Sequence, residues 1–165
     1  NKELIAELRN MPAAIKRDVD AKVEQLGRLL QSKVQNDYLR GPRPIHLGVK
    51  HGRLLRSITQ GAPESRSRFE STGTTAFAYV GTNVEYAARW EYGGTQKAYT
   101  IVPKTAKALH FMVNGKDVFA KHVNMPARTL EARPFLAPAL RDLEPTIVAE
   151  LEATLKDTMV EGLKK

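Results

Sequence analysis

The sequence predicts an α+β fold: a long N-terminal helix, a small antiparallel β-sheet with a short helix, and a long C-terminal helix. Three observations carry this. Ile15, Val19, Val23, Leu26, Leu30, Val34 and Tyr38 recur every three or four residues, one continuous helical stripe. From residue 74 the period shifts toward two, with Asn114-Gly115 as a two-residue hairpin signal. Helical spacing then returns at Leu136, Leu140, Leu143, Ile147, Leu151, Leu155 and Met159.

Each element has its own punctuation. Pro12, after Asn10 as a cap, suits a helix start, with residues 2–9 as a separate turn or frayed end. Gly41-Pro42 ends that helix. Segment 41–52 has the glycines and prolines of a loop, and residues 51–58 read as a short helix or a helix-to-strand passage. Residues 60–73, polar and rich in Gly, Ser, Arg and Glu, suggest a mobile hairpin tip or exposed loop. Residues 75–81 read as a strand and residues 85–92 as a short helix closed by Gly93-Gly94. Three more strands are expected at Tyr99–Pro103, Ala108–Val113 and Val118–Val123. Residues 124–134 read as a loop. Pro134 then opens the last helix at its first position and Pro138 is tolerable in a first turn, but Pro145 predicts a kink or break near Glu144. Gly81 and Gly93 permit positive φ at turns bounding the short helix.

At 165 residues the chain is expected to form a single domain, divided into a helix over 1–40, a sheet module over 52–124 and a helix over 134–162. With 42% hydrophobic and 27% charged residues it lies outside the disordered range. No cysteine is present, which excludes disulfides, zinc–thiolate sites and thiol nucleophiles. Apolar runs are far shorter than the roughly 20 residues that span a bilayer, so no membrane association is expected. The sequence opens at Asn1 without methionine, so a few residues are expected to precede it.

The net charge of +8 suits nucleic acid or acidic protein surfaces. The basic residues are spread along the chain, concentrating only at Arg40–Arg43, Lys50–Arg56 and Lys164–Lys165, which favours general surface and interface charge over a DNA-reading face. A basic DNA-binding accessory protein is the alternative. Tyr86, Trp90 and Tyr92 could stack on bases, but the spacing of four between Tyr86 and Trp90 reads first as a packed face.

The search for catalytic chemistry finds no support. His46, His51, His110 and His122 include no i, i+4 metal pair. His110 and His122 fall on strands of one hairpin, where a structural or surface role is expected. No nucleophile elbow, P-loop or dinucleotide fingerprint is present. Glu85 and Glu91, near Arg89 on a short helix, read as a solvated charged face. No enzyme activity, cofactor, metal or small-molecule substrate is expected.

Five segments, in order, resemble a known family. Gly52-Arg53-Leu54-Leu55-Arg56-Ser57-Ile58 is similar to a G-x-L-x-x-S-I signature. Val80-Gly81-Thr82-Asn83-Val84-Glu85-Tyr86-Ala87 and Trp90-Glu91-Tyr92-Gly93-Gly94-Thr95 resemble its V-G-T-x-V-x-Y-A and x-E-x-G-T pair. Ile101-Val102-Pro103-Lys104, continuing to Phe111, resembles I-x-P-K-x-x-K-A-L-x-F. Ala132-Arg133-Pro134-Phe135-Leu136, continuing to Leu140, resembles A-R-P-F-L-x-P-A-L. The family is that of tailed-phage neck and tail-completion proteins, which includes minor tail protein Z-like and virion-morphogenesis proteins. Two departures stand out: Gly94 is an extra residue in the E-x-G-T turn, and the insert 124–133 repeats an Ala-Arg step.

The resemblance implies a structural subunit of the virion tail or neck, assembled in the host bacterial cytoplasm. It implies a homo-oligomeric ring, sixfold, that joins tail to head. The implied neighbours are connector, tail-terminator or tail-tube proteins, with passive contact to channel DNA. No catalytic residues belong to the pattern. Its candidate assembly residues here are Arg53, Leu55, Ser57, Tyr86, Trp90, Glu91, Gly93, Pro103, Lys104, Arg133, Pro134 and Phe135. The same residues also serve as local punctuation. Phe135 is expected as a packing anchor, while Lys104 and Lys107 flank a Pro-led strand and guard its edge.

Overall fold

The computed structural model describes residues 2–41, 46–73 and 75–164. Arg43 and Pro42, part of the expected basic cluster and helix stop, lie outside the described residues. The order of elements is the expected one: a long helix, short strands with two short helices, and a long helix.

Helix α1 spans Lys2–Lys33 and continues as a π-helical segment, Val34–Leu39. It runs unbroken through Pro12, correcting the expected start there. An interior proline forfeits one backbone bond, which weakens a helix without obliging it to end. The expected stripe is the inward face, with Leu26 and Val34 buried. The π segment was not expected. Its wider turn brings residues five apart onto one side, and Val34 and Leu39 are both buried there. The Arg40 amide bonds the Gln35 carbonyl at 3.0 Å and closes it.

Helix α2 covers Arg53–Ser57 and α3 covers Ala87–Tyr92. The core gathers where the end of α1, both short helices and the start of α4 (Ala137–Lys164) meet. Val34, Leu39, Leu54, Ile58, Val84, Ala87, Phe135 and Ala139 form its buried centre. Helix α4 begins three residues later than expected and continues past Pro145 without a break. Leu143 before the proline and Ile147 after it stay on the inward side, so the lost bond is offset by continued packing.

The strands form four antiparallel pairs rather than one sheet. Strand β1 (Arg68–Ser71) pairs β2 (Ala76–Tyr79), so the expected exposed loop 60–73 ends in a strand. Strands β3 (Gly94–Gln96) and β8 (Arg128–Leu130) pair, as do β4 (Tyr99–Ile101) and β7 (Val123–Met125). Strand β5 (Leu109–Val113) pairs β6 (Lys116–Ala120). The expected strand 118–123 therefore begins earlier and divides in two, and the expected loop 124–134 contains β8.

The registers reveal what these pairs are. Gly94 faces Leu130 and Tyr99 faces Met125, so β3 and β4 keep one register against β7 and β8 across a two-residue interruption. With β5–β6 the three pairs are nested along one two-stranded arm, residues 94–130. Its tip is Asn114-Gly115, with φ of 50° and 76°, as a primed hairpin turn requires. Lys104 and Lys107 lie in the bend between β4 and β5 and flank no strand.

Helix α1 is held to its neighbours by polar contacts. The Asp20 carboxylate accepts from Lys16 Nζ at 2.5 Å and Ser71 Oγ at 2.7 Å, and these hydrogen bonds hold its pKa below the ordinary 3.8. Asp18 is lowered too, by Arg17 and by Thr158 Oγ1 of α4 at 3.0 Å. The Tyr38 hydroxyl donates to Asp142 of α4, which pushes its pKa up to about 12. Lys22 joins Glu150 of α4 at 2.8 Å. The lowered carboxylates contribute stability above their ordinary pKa that is lost as pH falls through the lowered values. The raised phenol contributes below about pH 10, and that is lost as pH climbs toward 12.

Two tests follow. The melting temperature of Asp20→Asn should fall below that of the wild type at pH 6, and the gap should close as pH drops below about 4; a gap that persists at pH 2 contradicts the assignment. At the crossing of α1 and β2, a Cβ on Gly27 would meet Ala78 Cβ at 2.7 Å. Gly27→Ala should therefore destabilise, although alanine gains about 1 kcal/mol in helix propensity. Adding Ala78→Gly should recover most of the loss in urea unfolding.

Candidate functional site

Helix α4 starts without a local cap. It begins at Ala137, three residues after Pro134, and the free amides of Phe135, Leu136 and Ala137 need acceptors. They find one side chain from far back in the chain. Glu91 Oε2 accepts from Phe135 at 2.8 Å and Leu136 at 3.1 Å, and Oε1 accepts from Ala137 at 2.9 Å. The carboxylate also sits at the positive end of the helix dipole. Glu91 is buried, which corrects its expected place on a solvated face, whereas Glu85 and Arg89 are exposed as expected. Its backbone neighbour adds a fourth bond, from the Arg133 amide to the Trp90 carbonyl at 2.6 Å.

The two resembling segments at 90–95 and 132–140 therefore form one latch. Phe135 is 1% exposed and fills the core beneath it. The Arg133 guanidinium lies 6.0 Å from the Trp90 ring centre. Gly93 has φ of 69°, and a Cβ there would stand 2.8 Å from both Ala132 N and Leu130 O. Pro134 is exposed and precedes the helix rather than opening it. Gly81, by contrast, has no positive φ; it is confined by Ser67, whose hydroxyl accepts from the Gly81 amide at 3.1 Å.

A second knot joins the segments at 52–58 and 80–87. The Val84 amide bonds Thr82 Oγ1 at 3.0 Å, Thr82 Oγ1 lies 2.6 Å from Ser57 Oγ, and Ser57 donates to the Leu54 carbonyl at 2.8 Å. Each hydroxyl has one proton, so the bonds run in one direction, from Val84 through Thr82 and Ser57 to Leu54. Ser57 is 1% exposed, and its hydroxyl is engaged by Thr82 and the Leu54 carbonyl. Arg53 grips Glu64 through Nε at 2.8 Å and through Nη2. Those bonds raise the arginine pKa and lower the glutamate one. Glu64 itself has φ of 63°, an unusual value for a non-glycine residue, and its carbonyl accepts from the Asn83 amide at 2.7 Å. The same guanidinium lies 5.9 Å from the Tyr86 ring. Leu55 and Trp90 pack against the core.

Arg53, Leu55, Tyr86 and Trp90 line one cleft of about 220 Å³, with Leu39, Leu47 and Leu54. Its walls are largely apolar, and Arg53 is already committed to Glu64. Pro103 and Lys104 are not part of this assembly; they follow β4 on the arm. Among the described residues no group of three or more His, Asp or Glu is arranged to hold a metal. His110 meets Asp117 at 2.7 Å rather than His122, and its ring stacks on Phe119.

The two departures from the family pattern prove to be one feature. The extra Gly94 begins β3, and the insert 124–133 carries β8, its partner, with Gly94 opposite Leu130. Together they form the root of the arm. Thr82, Ser67 and Glu64 were not singled out from sequence; Thr82 lay inside a recognised segment, and the others had no local signal. Compared with known proteins, the chain matches no family model, no curated protein and no solved structure.

Removing the Glu91 carboxylate should strand three amides at once. Glu91→Ala is expected to cost roughly 2–3 kcal/mol in urea unfolding. Glu91→Gln, which keeps one acceptor oxygen, should cost less. Equal, near-zero losses in both variants would show that the latch does not hold α4.

Proposed function

We propose that this chain is a structural, non-catalytic subunit of a tailed-phage virion, forming a ring in the neck or tail-completion region that joins tail to head. The observation that carries the reading is the order of five family-like segments from Gly52 to Leu140. Four of them meet in the latch and the hydroxyl knot. Residues shared for this purpose build a scaffold rather than a reaction centre, which suits an assembly protein. Exposed apolar residues on the arm and on α4 offer surface for neighbouring copies. A ring of like subunits needs two different faces on each copy, and these two elements differ in shape and charge. The partners in this reading are further copies of the chain, six to a ring, and adjoining connector, tail-terminator or tail-tube rings. Among the described residues no helix is long and apolar enough to cross a membrane.

The net charge of +8 favours testing DNA at the same time. Native mass measurement of the purified chain, alone and mixed with tail-tube or connector protein, should give a closed oligomer or a ring bound to its neighbour. A strict monomer under both conditions overturns the reading. Duplex DNA affinity that is tight at 50 mM salt and falls steeply with log salt would support a DNA-binding accessory protein instead.

A further inference from the structure

The arm is an unfinished structure by itself. An isolated two-stranded hairpin is at best marginally stable in water, yet this one carries apolar side chains on both faces. Phe111 and Val113 lie on one face, Met112 and Phe119 on the other. Met112 and Phe119 are each 69% exposed. The arm's principal packing is within its own strand pairs.

Helix α4 presents the complementary shortage. The face turned to α1 is covered, but a second stripe beside it is not. Val148, Leu155 and Met159 fall on that stripe and are all exposed, Val148 at 51%. The expected single inward stripe is thus wider than α1 can cover.

Charge distinguishes the two surfaces. Residues 94–130 hold six Lys or Arg against one Asp, whereas residues 137–164 hold six Asp or Glu against three Lys or Arg. Lys104, Lys107, Lys116 and Lys121 on the arm make no ion pair among the described residues, nor do Glu144 and Glu152 beside the α4 stripe. A hairpin meeting another hairpin would bring like charges together. A hairpin laid along α4 would bring opposite charges together and bury apolar residues of both.

We infer that the arm of one copy docks on the exposed α4 stripe of a second copy, a head-to-tail contact that repeats around the assembly. This rests on the ring reading above and names its interface. Such a contact is heterologous, so it generates a ring if its rotation closes and a filament if it does not.

The cysteine-free chain permits a direct test. Met112→Cys and Val148→Cys are prepared as separate single variants, checked for native circular dichroism, mixed in equal amounts and oxidised. Docking predicts that the mixed disulfide pair exceeds half of all crosslinked dimer, the share expected from random collision. Phe119→Cys with Leu155→Cys gives a second pair should either first variant misfold. Sedimentation of the wild type should show self-association that weakens at least several-fold between 0.1 and 1 M salt and is lost in Val148→Glu. Homodimers of the Met112→Cys chain in excess, or random proportions, would overturn the docking mode while an observed oligomer kept the ring reading. A wild-type chain that stays monomeric alone, yet joins a ring with tail-tube or connector protein, would overturn the docking and assign the arm to that neighbour.

Discussion

The carboxylate of Glu91 is the point on which the arrangement of long helices depends. Helix α4 begins at residue 137, just after Phe135 has entered the core and three residues past Pro134. That start leaves a cluster of unsatisfied amides in a buried place, where each would be costly. Glu91 answers all three from the short helix α3, whose own residues pack into the same core. Glu91 thus fixes the start of α4, while Lys22–Glu150, Asp18–Thr158 and Tyr38–Asp142 hold its length against α1 and the π segment.

A second consequence concerns the chain between the two halves of the latch. The Trp90–Arg133 backbone bond and the contact of Gly93 with Leu130 and Ala132 bring residues 93 and 132 together. Everything between them leaves the core and returns at the same place. A segment closed at its base can lengthen, bend or change register without disturbing the helices. The shifted register of β5–β6 relative to β4–β7 is a change of this tolerated kind.

Much of the fold was legible because its signals are local. The α1 stripe, the Asn114-Gly115 turn, the short helix near 87–92 and the helical spacing after 136 depend on neighbours a few residues away. What escaped depends on distance in sequence. Glu91 acts on amides 44 to 46 positions later, so nothing near it announces a cap; the only hint was a helix start lacking Ser, Asp or Asn. Gly81 permits a positive φ by its type but does not use it, its amide being held by Ser67. Pro145 predicted a break that packing on both sides prevents. Strand β8 is too short to show alternation and exists because β3 lies opposite.

The candidate site was legible in a different sense. Its residues could be chosen from ordered segments, but their roles could not, because resemblance gives positions without contacts. The contacts separate two groups among those residues, apart from the cleft residues Arg53, Leu55 and Tyr86 and the exposed Pro134. Ser57, Trp90, Glu91, Gly93, Arg133 and Phe135 meet in bonds that close the fold, whereas Pro103 and Lys104 lie on the arm beyond the latch. A substitution in the first group changes whether the helices are placed at all; one in the second changes what the placed scaffold meets. Loss of assembly from the first group is therefore no evidence of an interface, since any partner surface on α4 moves when its cap is lost. Interface arguments belong to arm and stripe side chains that are exposed and bonded to nothing in their own copy, where folding and association can be altered separately.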